Sequence, residues 1–381
     1  MTRFSLAAIV FLIAFGQPLR AQNSPAALFA ELRGTNEVPA NLSAAIGAAF
    51  VTVDANDALT FEISTLGMTE APTQAQIYEN VAGLNGPPVV SFGTSFQDGR
   101  ISGTARPDPE VAKRIRENPQ TFYVNVSSTV FPNGEIRGQL LGANEKDFAV
   151  AGNITNGAGD RFVTDLRIFN PAKLRAIALV EFFTRRPDGI AVASKPVEID
   201  AKGEAVLDDV VGAGLLNSPG QVGALRLTSN GSLAATENVY NDRRSFNKGT
   251  FGQFVPPVPL SGAFPHGAIA HLSNRDRDLS NPEGFRTNIG FFNANRAEAD
   301  VTLILRDGGG HILATQTLNL GAMTQIQLPI SALFAAVDVS KGPALTVEYD
   351  ATQPIFAYGA VNDNVSGDSI YVPAQSIPNL N

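Results

Sequence analysis

Short runs of hydrophobic and polar residues with period two recur along this chain. They are clear in residues 49–53, 59–63 and 121–126, and turn residues separate them. A period of two is typical of strands that turn one face to a core. The first 140 residues therefore predict a set of short strands that pair into one sandwich or barrel.

One segment of the first region has a different pattern. Between residues 101 and 120, Asp108 can cap a helix and Pro109 suits its first position, while Val111 and Ile115 lie four residues apart on one face. The pattern predicts a single short helix in an otherwise β module.

Beyond a polar boundary at residues 142–147 the chain repeats itself. Residues 162–170 (FVTDLRIFN) match residues 285–293 (FRTNIGFFN), so that Asn293 follows Asn170 by 123 residues. Residues 239–242 match residues 360–363 at a spacing of 121 residues. The near-constant spacing indicates two related β-sandwiches, at residues 148–254 and 255–372. The repeated Asn residues favour a shared turn over a repeated ligand or calcium site.

The composition supports an all-β fold. Together with the strand pattern and the repeat, it leads us to expect three β-sandwich modules with Greek-key or immunoglobulin-like topology. The chain has 44% hydrophobic and 17% charged residues, with 24 Phe, 35 Gly and 24 Pro. It can fill cores, but it is interrupted too often for long helices. The net charge of -8 disfavours nucleic acids and anionic membranes as partners. With no Cys, disulfides and thiol chemistry are excluded.

The first residues predict a secretory signal peptide. Arg3 precedes an apolar run at residues 4–15, and a breaker-rich segment follows that ends in Ala21. The run is shorter than the roughly 20 residues that a membrane-spanning helix needs. We therefore expect residues 1–21 to be removed near Ala21, and a secreted or periplasmic protein with no membrane span.

The stretch 121–140, TFYVNVSSTVFPNGEIRGQL, predicts a hairpin. Phe122, Val124 and Val126 lie on one face of its first strand, and Tyr123 and Asn125 lie on the other. Residues 131–134 provide the turn. Together with residues 29–39, FAELRGTNEVP, this hairpin resembles the CHRD (chordin-type) domain, over about residues 27–141. The motif positions are Asn36, Glu37, Pro39, Tyr123, Asn125, Pro132, Gly134, Glu135, Arg137 and Gly138.

This resemblance implies a secreted β-sandwich that acts in protein interaction. Family members commonly have His-Ile-His on a central strand, where this chain has Gln76, Ile77 and Tyr78, and Ser127 replaces a further histidine of the hairpin. These side chains are poor ligands for zinc or copper, so any metal site of the family is expected to be lost here. Residues 82–88, which follow, predict a long loop and a candidate contact surface.

Two acidic and two basic motif positions have alternative interpretations. Glu37 and Glu135, with Arg33 and Arg137, fit buried ion pairs that fix the strand register, or a general acid with an orienting arginine. We favour the structural role.

Other candidate chemistry is weak. The three histidines, His266, His271 and His311, lack the spacing of a helical zinc motif. Oxygen ligands for calcium are offered by Asp276, Asp278, Asp363 and Asp368, although Thr287 stands where an EF-hand loop would end in Glu. We therefore expect no catalytic residues, cofactor or metal.

The sequence favours a secreted, non-enzymatic protein that acts by surface recognition or adhesion, in the bacterial envelope or outside the cell. Its partner would be a protein or a glycan. Two alternatives stay open: a calcium- or carbohydrate-binding module set, and a hydrolase with a carboxylate pair between modules.

Overall fold

A computed structural model describes residues 25–155, 159–186, 190–246, 249–275 and 284–378 of the chain, without the side chains of residues 341–343. The predicted signal peptide and the calcium candidates Asp276 and Asp278 lie outside the described residues. Within the described ranges, no helix has the length and apolar character needed to cross a membrane.

The first module is a nine-stranded antiparallel sheet that curves around one core, with one helix. Along the sheet the order is β5-β4-β7-β8-β1-β2-β3-β6, and β9 pairs with β1. Its elements are β1 (Ala26–Arg33), β2 (Ile46–Val53), β3 (Leu59–Leu66), β4 (Pro72–Glu79), β5 (Pro88–Gly93), β6 (Arg100–Ala105), α1 (Pro109–Glu117), β7 (Phe122–Ser128), β8 (Ile136–Gln139) and β9 (Leu141–Gly142).

The predicted helix is confirmed as α1. The carboxylate of Asp108 accepts a hydrogen bond from the backbone N–H of Glu110, and Pro109 occupies the first helical position. Ile115 is buried in the core of the first module, and Val111 packs against the same core while partly exposed. The helix therefore closes the sandwich with its apolar face.

The second and third modules are also antiparallel β-sandwiches. The second contains β10 (Asn144–Thr155), β11 (Arg161–Phe169), β12 (Ala176–Phe183), β13 (Ala193–Ile199), β14 (Glu204–Leu207), β15 (Gln221–Ser229), β16 (Ala234–Asp242) and β17 (Thr250–Val255). The third contains β18 (Phe264–Arg275), β19 (Phe285–Asn293), β20 (Ala299–Asp307), β21 (Ile312–Leu320), β22 (Thr324–Pro329), α2 (Ile330–Leu333), β23 (Lys341–Asp363), β24 (Ser369–Pro373) and β25 (Gln375–Ser376).

The strand pairings of these two modules correspond, which agrees with a duplication. In the second module β12 lies between β13 and β15, and β11 pairs with β14 and β16. In the third module β20 lies between β21 and β23, and β19 pairs with β22 and β23. The long strand β23 thus takes the places of both β15 and β16.

The repeated Asn residues confirm the shared turn that the sequence predicts. The amide nitrogen of Asn170 donates to the carbonyl oxygens of Leu174, Ile199 and Asp200. In the third module the amide nitrogen of Asn293 donates to the equivalent carbonyls of Ala297, Leu320 and Gly321. Each Asn also accepts a hydrogen bond from the backbone N–H two residues later.

The second sequence match is shifted by one residue in the structure. Asn241 lies opposite Phe162, whereas Asp363 lies opposite Phe285. Asn241 and Asp363 are therefore the equivalent positions, although the sequence pattern aligns Asn241 with Asn362.

The modules are packed together and share buried side chains. The core of the second module continues into Phe292, Met323, Phe356 and Tyr358 of the third module. Between the first and second modules, Phe29 and Phe50 pack against Ile177 and Leu179. Each of these contacts buries apolar side chains of two modules against each other.

Candidate functional site

The predicted hairpin is formed by β7 and β8 and has the two predicted faces. Phe122, Val124 and Val126 lie in the core of the first module together with Ile136. The opposite face is also covered, because Tyr123, Asn125 and Arg137 are all buried there. The second face of this hairpin is therefore a buried polar layer rather than a solvated one.

Two aromatic rings and a guanidinium form the centre of this layer. The rings of Tyr78 and Tyr123 are stacked, with centroids 5.2 Å apart. On the other side of Tyr123, the guanidinium carbon of Arg137 lies 3.5 Å from the ring centroid. Stacking of this kind suits the planar guanidinium and keeps its edge available for hydrogen bonds.

That edge holds the loop between β4 and β5. Arg137 donates through Nη2 to the carbonyl of Leu84 at 2.7 Å and through Nη1 to Oδ1 of Asn85 at 3.0 Å. The phenol oxygen of Tyr123 accepts a hydrogen bond from the N–H of Gly86 at 3.2 Å. Two buried motif residues therefore fix an exposed loop.

Further hydrogen bonds tie this loop to its neighbours. The amide of Gln139 donates to the carbonyl of Asn80 at 2.8 Å. The amide of Asn85 donates to the carbonyl of Val38 at 2.8 Å. The loop, which spans residues 80–88, is thus fixed both to the hairpin and to the segment that contains the first family motif.

Glu37 is buried beneath this arrangement. Its Oε2 is 3.5 Å from the amide nitrogen of Asn125, and its Oε1 has no hydrogen-bond partner among the described residues. Burial raises the pKa of Glu37 to about 7, against the opposing charge of Arg137. A carboxyl group with this pKa titrates near neutral pH, which a general acid could use.

Glu135 and Arg33 are held differently from the predicted ion pairs. Burial would raise the pKa of Glu135, but hydrogen bonds from the Ser128 hydroxyl, the Thr69 backbone and the Ser43 hydroxyl lower it below its ordinary value. Arg33 forms an ion pair with Glu198 of the second module. Hydroxyl groups and a backbone N–H thus hold Glu135, and a contact between modules holds Arg33.

The remaining motif residues shape the backbone around this layer. Asn36 donates to the carbonyl of Arg137 at 3.0 Å, and the Val38–Pro39 peptide bond is cis. Pro132 and Gly134 lie in the turn, where Gly134 has φ of 134° and a Cβ there would come within 2.4 Å of Asn125. At Gly138 a Cβ would be 2.2 Å from the carbonyl oxygen of Glu31, so only glycine fits.

Two of the three positions at which the family resemblance implies histidine, Gln76 and Tyr78, are hydrogen-bonded to each other here. The Tyr78 hydroxyl donates to Oε1 of Gln76 at 2.8 Å, and Ser127 lies opposite Gln74. Across the described ranges of the chain, no group of three His, Asp or Glu side chains is placed to hold a metal ion.

The other candidates for metal binding lie apart from this layer. Asp363 accepts hydrogen bonds from the N–H groups of Val365 and Ser366, and Asp368 accepts one from Ser369. These bonds form the turn before β24. His266 contacts Asp350 at 2.9 Å.

A second polar cluster, which sequence reasoning missed, lies where the three modules meet. Asp147, Arg226, Glu181 and Ser194 occupy opposed positions on β10, β15, β12 and β13, so they form one row across four strands. The row continues into the first module, because the Ser194 hydroxyl donates to Glu62. A period-two pattern assigns these positions to a strand face but cannot show that another module covers it.

One end of the cluster, at Glu62 and Glu181, borders a cavity of about 230 Å³ that residues of all three modules line, among them Arg296. Arg226 donates to Asp147 at 2.8 Å, whereas Oε2 of Glu181 has no hydrogen-bond partner among the described residues. Burial raises the pKa of Glu181 to about 8, partly offset by the charge of Arg226 and reinforced by Glu62. Two carboxyl groups therefore converge between modules, with Glu62 bound to Arg100.

Comparison with known proteins gives one family. The family model described as CHRD domain matches residues 28–140, which confirms the resemblance that the hairpin carries. No curated protein matches this chain. A solved structure titled "Crystal Structure of Thermotoga maritima 1070" is similar over 30% of this chain and 97% of its own chain, at 6% identity and a TM-score of 0.25. That likeness is too weak to carry an argument.

Proposed function

We propose, from the premise that residues 28–140 form a CHRD domain, that this protein is secreted and acts by recognising a protein partner, without catalysis. CHRD domains are of extracellular type, and the amino-terminal pattern of residues 1–21 supports export. The envelope or the extracellular space is the proposed location.

The observation that carries this proposal is the use of buried motif residues to fix an exposed loop. Arg137 and Tyr123 hold Leu84, Asn85 and Gly86 through side-chain hydrogen bonds. A loop that is already ordered loses less conformational entropy on binding, so more of the contact energy appears as affinity. Such an arrangement suits recognition better than chemistry.

Exposed apolar side chains on and beside this loop provide the contact area. Val81 and Leu84 are 45% and 54% exposed, and Leu42 and Val130 on neighbouring segments are 102% and 51% exposed. These four residues form the recognition surface. Two of their segments are connected, because the amide of Asn85 in the loop donates to the carbonyl of Val38, four residues before Leu42. Burial of such apolar area in a contact removes it from water, which contributes to the free energy of binding.

A retention experiment with the full mature chain tests this function. The wild-type protein and a Val81→Ser, Leu84→Ser variant are immobilised and exposed to envelope extract. We expect the variant to retain at least about ten-fold less of the specific partner, which corresponds to about 1.4 kcal/mol. Leu174→Ser is the matched control, because Leu174 is 78% exposed in the second module.

The melting temperatures of these variants show whether they stay folded. Equal retention by the wild type and the loop variant would contradict recognition through this surface. Equal loss in the Leu174→Ser control would show that general apolar adhesion, rather than the loop, is responsible.

A second candidate function rests on Glu62 and Glu181. Glycoside hydrolysis commonly uses a pair of carboxyl groups, and both of these side chains line the cavity between modules. A panel of chromogenic glycosides at pH 5 to 8 tests it. Turnover that Glu181→Gln abolishes would support hydrolysis, and no turnover of any glycoside would contradict it.

The calcium alternative depends on Asp363 and Asp368 within the described residues. Both carboxylates accept hydrogen bonds from backbone N–H groups of the turn. A calcium ion would therefore bind to oxygens whose positions the turn already fixes. A rise in melting temperature in millimolar calcium would support this alternative, and an unchanged value would end it.

A further inference from the structure

The second and third modules enclose a cavity of about 230 Å³ that the functions above do not use. Its apolar wall comes from the second module and includes Phe162, Val222 and Phe251. Phe162 and Arg286 stay partly exposed at its edge, so the cavity is open to solvent. It is smaller than the roughly 300–1,000 Å³ of a drug-sized ligand site, which limits an occupant to about one ring.

The third module contributes the polar wall. Arg286 and Asn288 come from β19, Gln327 from β22 and Asn362 from β23. On β19 the alternate residues Ile289 and Phe291 enter the core of the third module. Arg286 and Asn288 therefore point away from that core and toward the second module.

Neighbouring groups orient two amides that line the cavity, Gln327 of this wall and Gln253 of the second module. The hydroxyl of Tyr358 donates to Oε1 of Gln327 at 2.7 Å, and the hydroxyl of Ser369 donates to Oε1 of Gln253 at 2.8 Å. Both amide nitrogens are thereby left available as donors. Asn362 uses its nitrogen for the carbonyl of Ala360 at 3.0 Å, so its oxygen is available as an acceptor.

Asn288 adds a complete amide. Within the described part of the chain it has no side-chain hydrogen bond, so it can both donate and accept. The wall thus presents several donors and acceptors, fixed by side chains behind it. Directional groups of both kinds suit a ligand that carries several hydroxyl groups.

Arg286 gives the wall its charge. Its Nη1 donates to Oδ1 of Asn364 at 2.9 Å, which is a neutral partner. No Asp or Glu of the described residues lies among the groups that line the cavity. An arginine in an otherwise neutral, amide-lined cavity favours an anionic group, and a carboxylate matches the guanidinium in shape.

We propose that this cavity binds one residue of an acidic sugar, a uronic acid, at the end of a saccharide. Its carboxylate contacts Arg286, its hydroxyls contact the amides of Asn288, Gln327 and Asn362, and its apolar ring face lies against Phe162 and Phe251. The site exists only where the two modules meet, so neither repeat contains it alone.

Titration of the full mature chain with D-glucuronic acid and D-glucose tests the proposal. Chemical shifts of Asn and Gln side-chain amides, or calorimetry, report binding. We expect D-glucuronic acid to bind about ten-fold more tightly than D-glucose, because only the former engages Arg286. Equal binding of the two sugars would overturn the carboxylate assignment, and binding of neither would overturn the site.

Two variants locate the binding. Arg286→Gln is expected to remove the preference for D-glucuronic acid. Asn288→Ala is expected to weaken the binding of both sugars. Arg175→Gln is the matched control, because Arg175 is an exposed arginine of the second module that pairs with Asp200. Unchanged preference in Arg286→Gln at an unchanged melting temperature would contradict the proposal. This outcome is independent of the recognition surface of the first module.

Discussion

The guanidinium of Arg137 lies flat on the ring of Tyr123, at 3.5 Å from its centroid, and both side chains bind the same loop. Neither side chain contacts solvent to any extent, since Arg137 and Tyr123 are each 2% exposed. A buried cation is costly unless its charge is matched by good partners. Here the aromatic face and two loop oxygens supply that match, so the order of the loop and the burial of Arg137 depend on each other.

Replacing Arg137 should therefore release the loop. Arg137→Met keeps most of the volume but removes the hydrogen bonds to Leu84 and Asn85. We expect the free energy of unfolding to fall by roughly 1 to 3 kcal/mol. Amide hydrogen exchange should become faster in residues 80–88 than elsewhere in the first module.

Arg114→Gln is a suitable control for this change. Arg114 forms an exposed ion pair with Glu79, and such pairs contribute little to stability. Unchanged exchange in the loop of Arg137→Met would show that the loop is ordered by other contacts.

Because the amides of Asn170 and Asn293 make equivalent hydrogen bonds, substitution of either should reduce stability by the same amount. Asn→Asp at either position keeps the shape but places a carboxylate against three carbonyl oxygens. We expect each variant to lose roughly 2 to 4 kcal/mol of stability, measured by denaturant unfolding.

Asn144→Asp is the control, because the exposed amide of Asn144 contacts only one carbonyl. Its free energy of unfolding should stay near that of the wild type. A large loss in only one of the two buried positions would argue that the modules do not use this turn in the same way.

The raised pKa of the Glu181 carboxyl group predicts that the free energy of unfolding falls as the pH rises. Its pKa is about 8 in the folded chain, because of burial, against an ordinary value of 4.5. The folded state therefore keeps a proton that the unfolded state loses. Stability is unaffected below pH 4.5, falls between pH 4.5 and 8, and is constant above that range. Asp147 and Glu37, whose pKa values are raised to about 6 and about 7, act in the same direction.

Glu181→Gln, which imitates the neutral acid, should remove this part of the pH dependence. We expect the variant to be more stable than the wild type at pH 9 by roughly 2 to 4 kcal/mol, and similar to it at pH 4.5. Denaturant unfolding at several pH values measures this. Glu204→Gln, at an exposed position of β14, should leave the profile unchanged, and an unchanged profile in Glu181→Gln would refute the assignment.

The shared cores predict that the modules unfold together. Ile177 is fully buried between the first and second modules, where it contacts a cluster with Phe29 and Phe50. We expect calorimetry of the mature chain to show one cooperative transition. Ile177→Ala should lower its midpoint, with a loss of about 2 to 4 kcal/mol.

The exposed Val206→Ala serves as the control, because its side chain is 58% exposed. Three separate transitions that Ile177→Ala leaves unchanged would show that the modules are energetically independent.

The fold could be predicted from local patterns to a large extent. Period two gave the strands, Asp108 and Pro109 gave the helix, and the Asn170 and Asn293 motifs gave the duplication. The one-residue shift at Asn241 could not be predicted, because a match of four residues does not define the pairing register.

Site residues could be predicted only where they belong to a recognisable sequence motif. The family positions Tyr123 and Arg137 were found, but their role in holding Leu84 depends on the path of a loop about 40 to 50 residues away in sequence. Glu181 and Arg286 could not be found, because each acquires its surroundings from another module. A residue on the outer face of a strand has the same sequence pattern whether water or a neighbouring module covers it.

The passage from the first to the second module is a single residue. Gly142 still pairs with β1, Asn144 already pairs with β15, and the N–H of Ala143 between them donates to the carbonyl of Ala27 at 3.0 Å. A junction this short leaves no flexible linker that would let the first module rotate relative to the second. If the recognition surface and the sugar cavity are occupied together, the distance between the two bound groups is fixed by the protein. It would select partners whose two attachment points already have the right spacing.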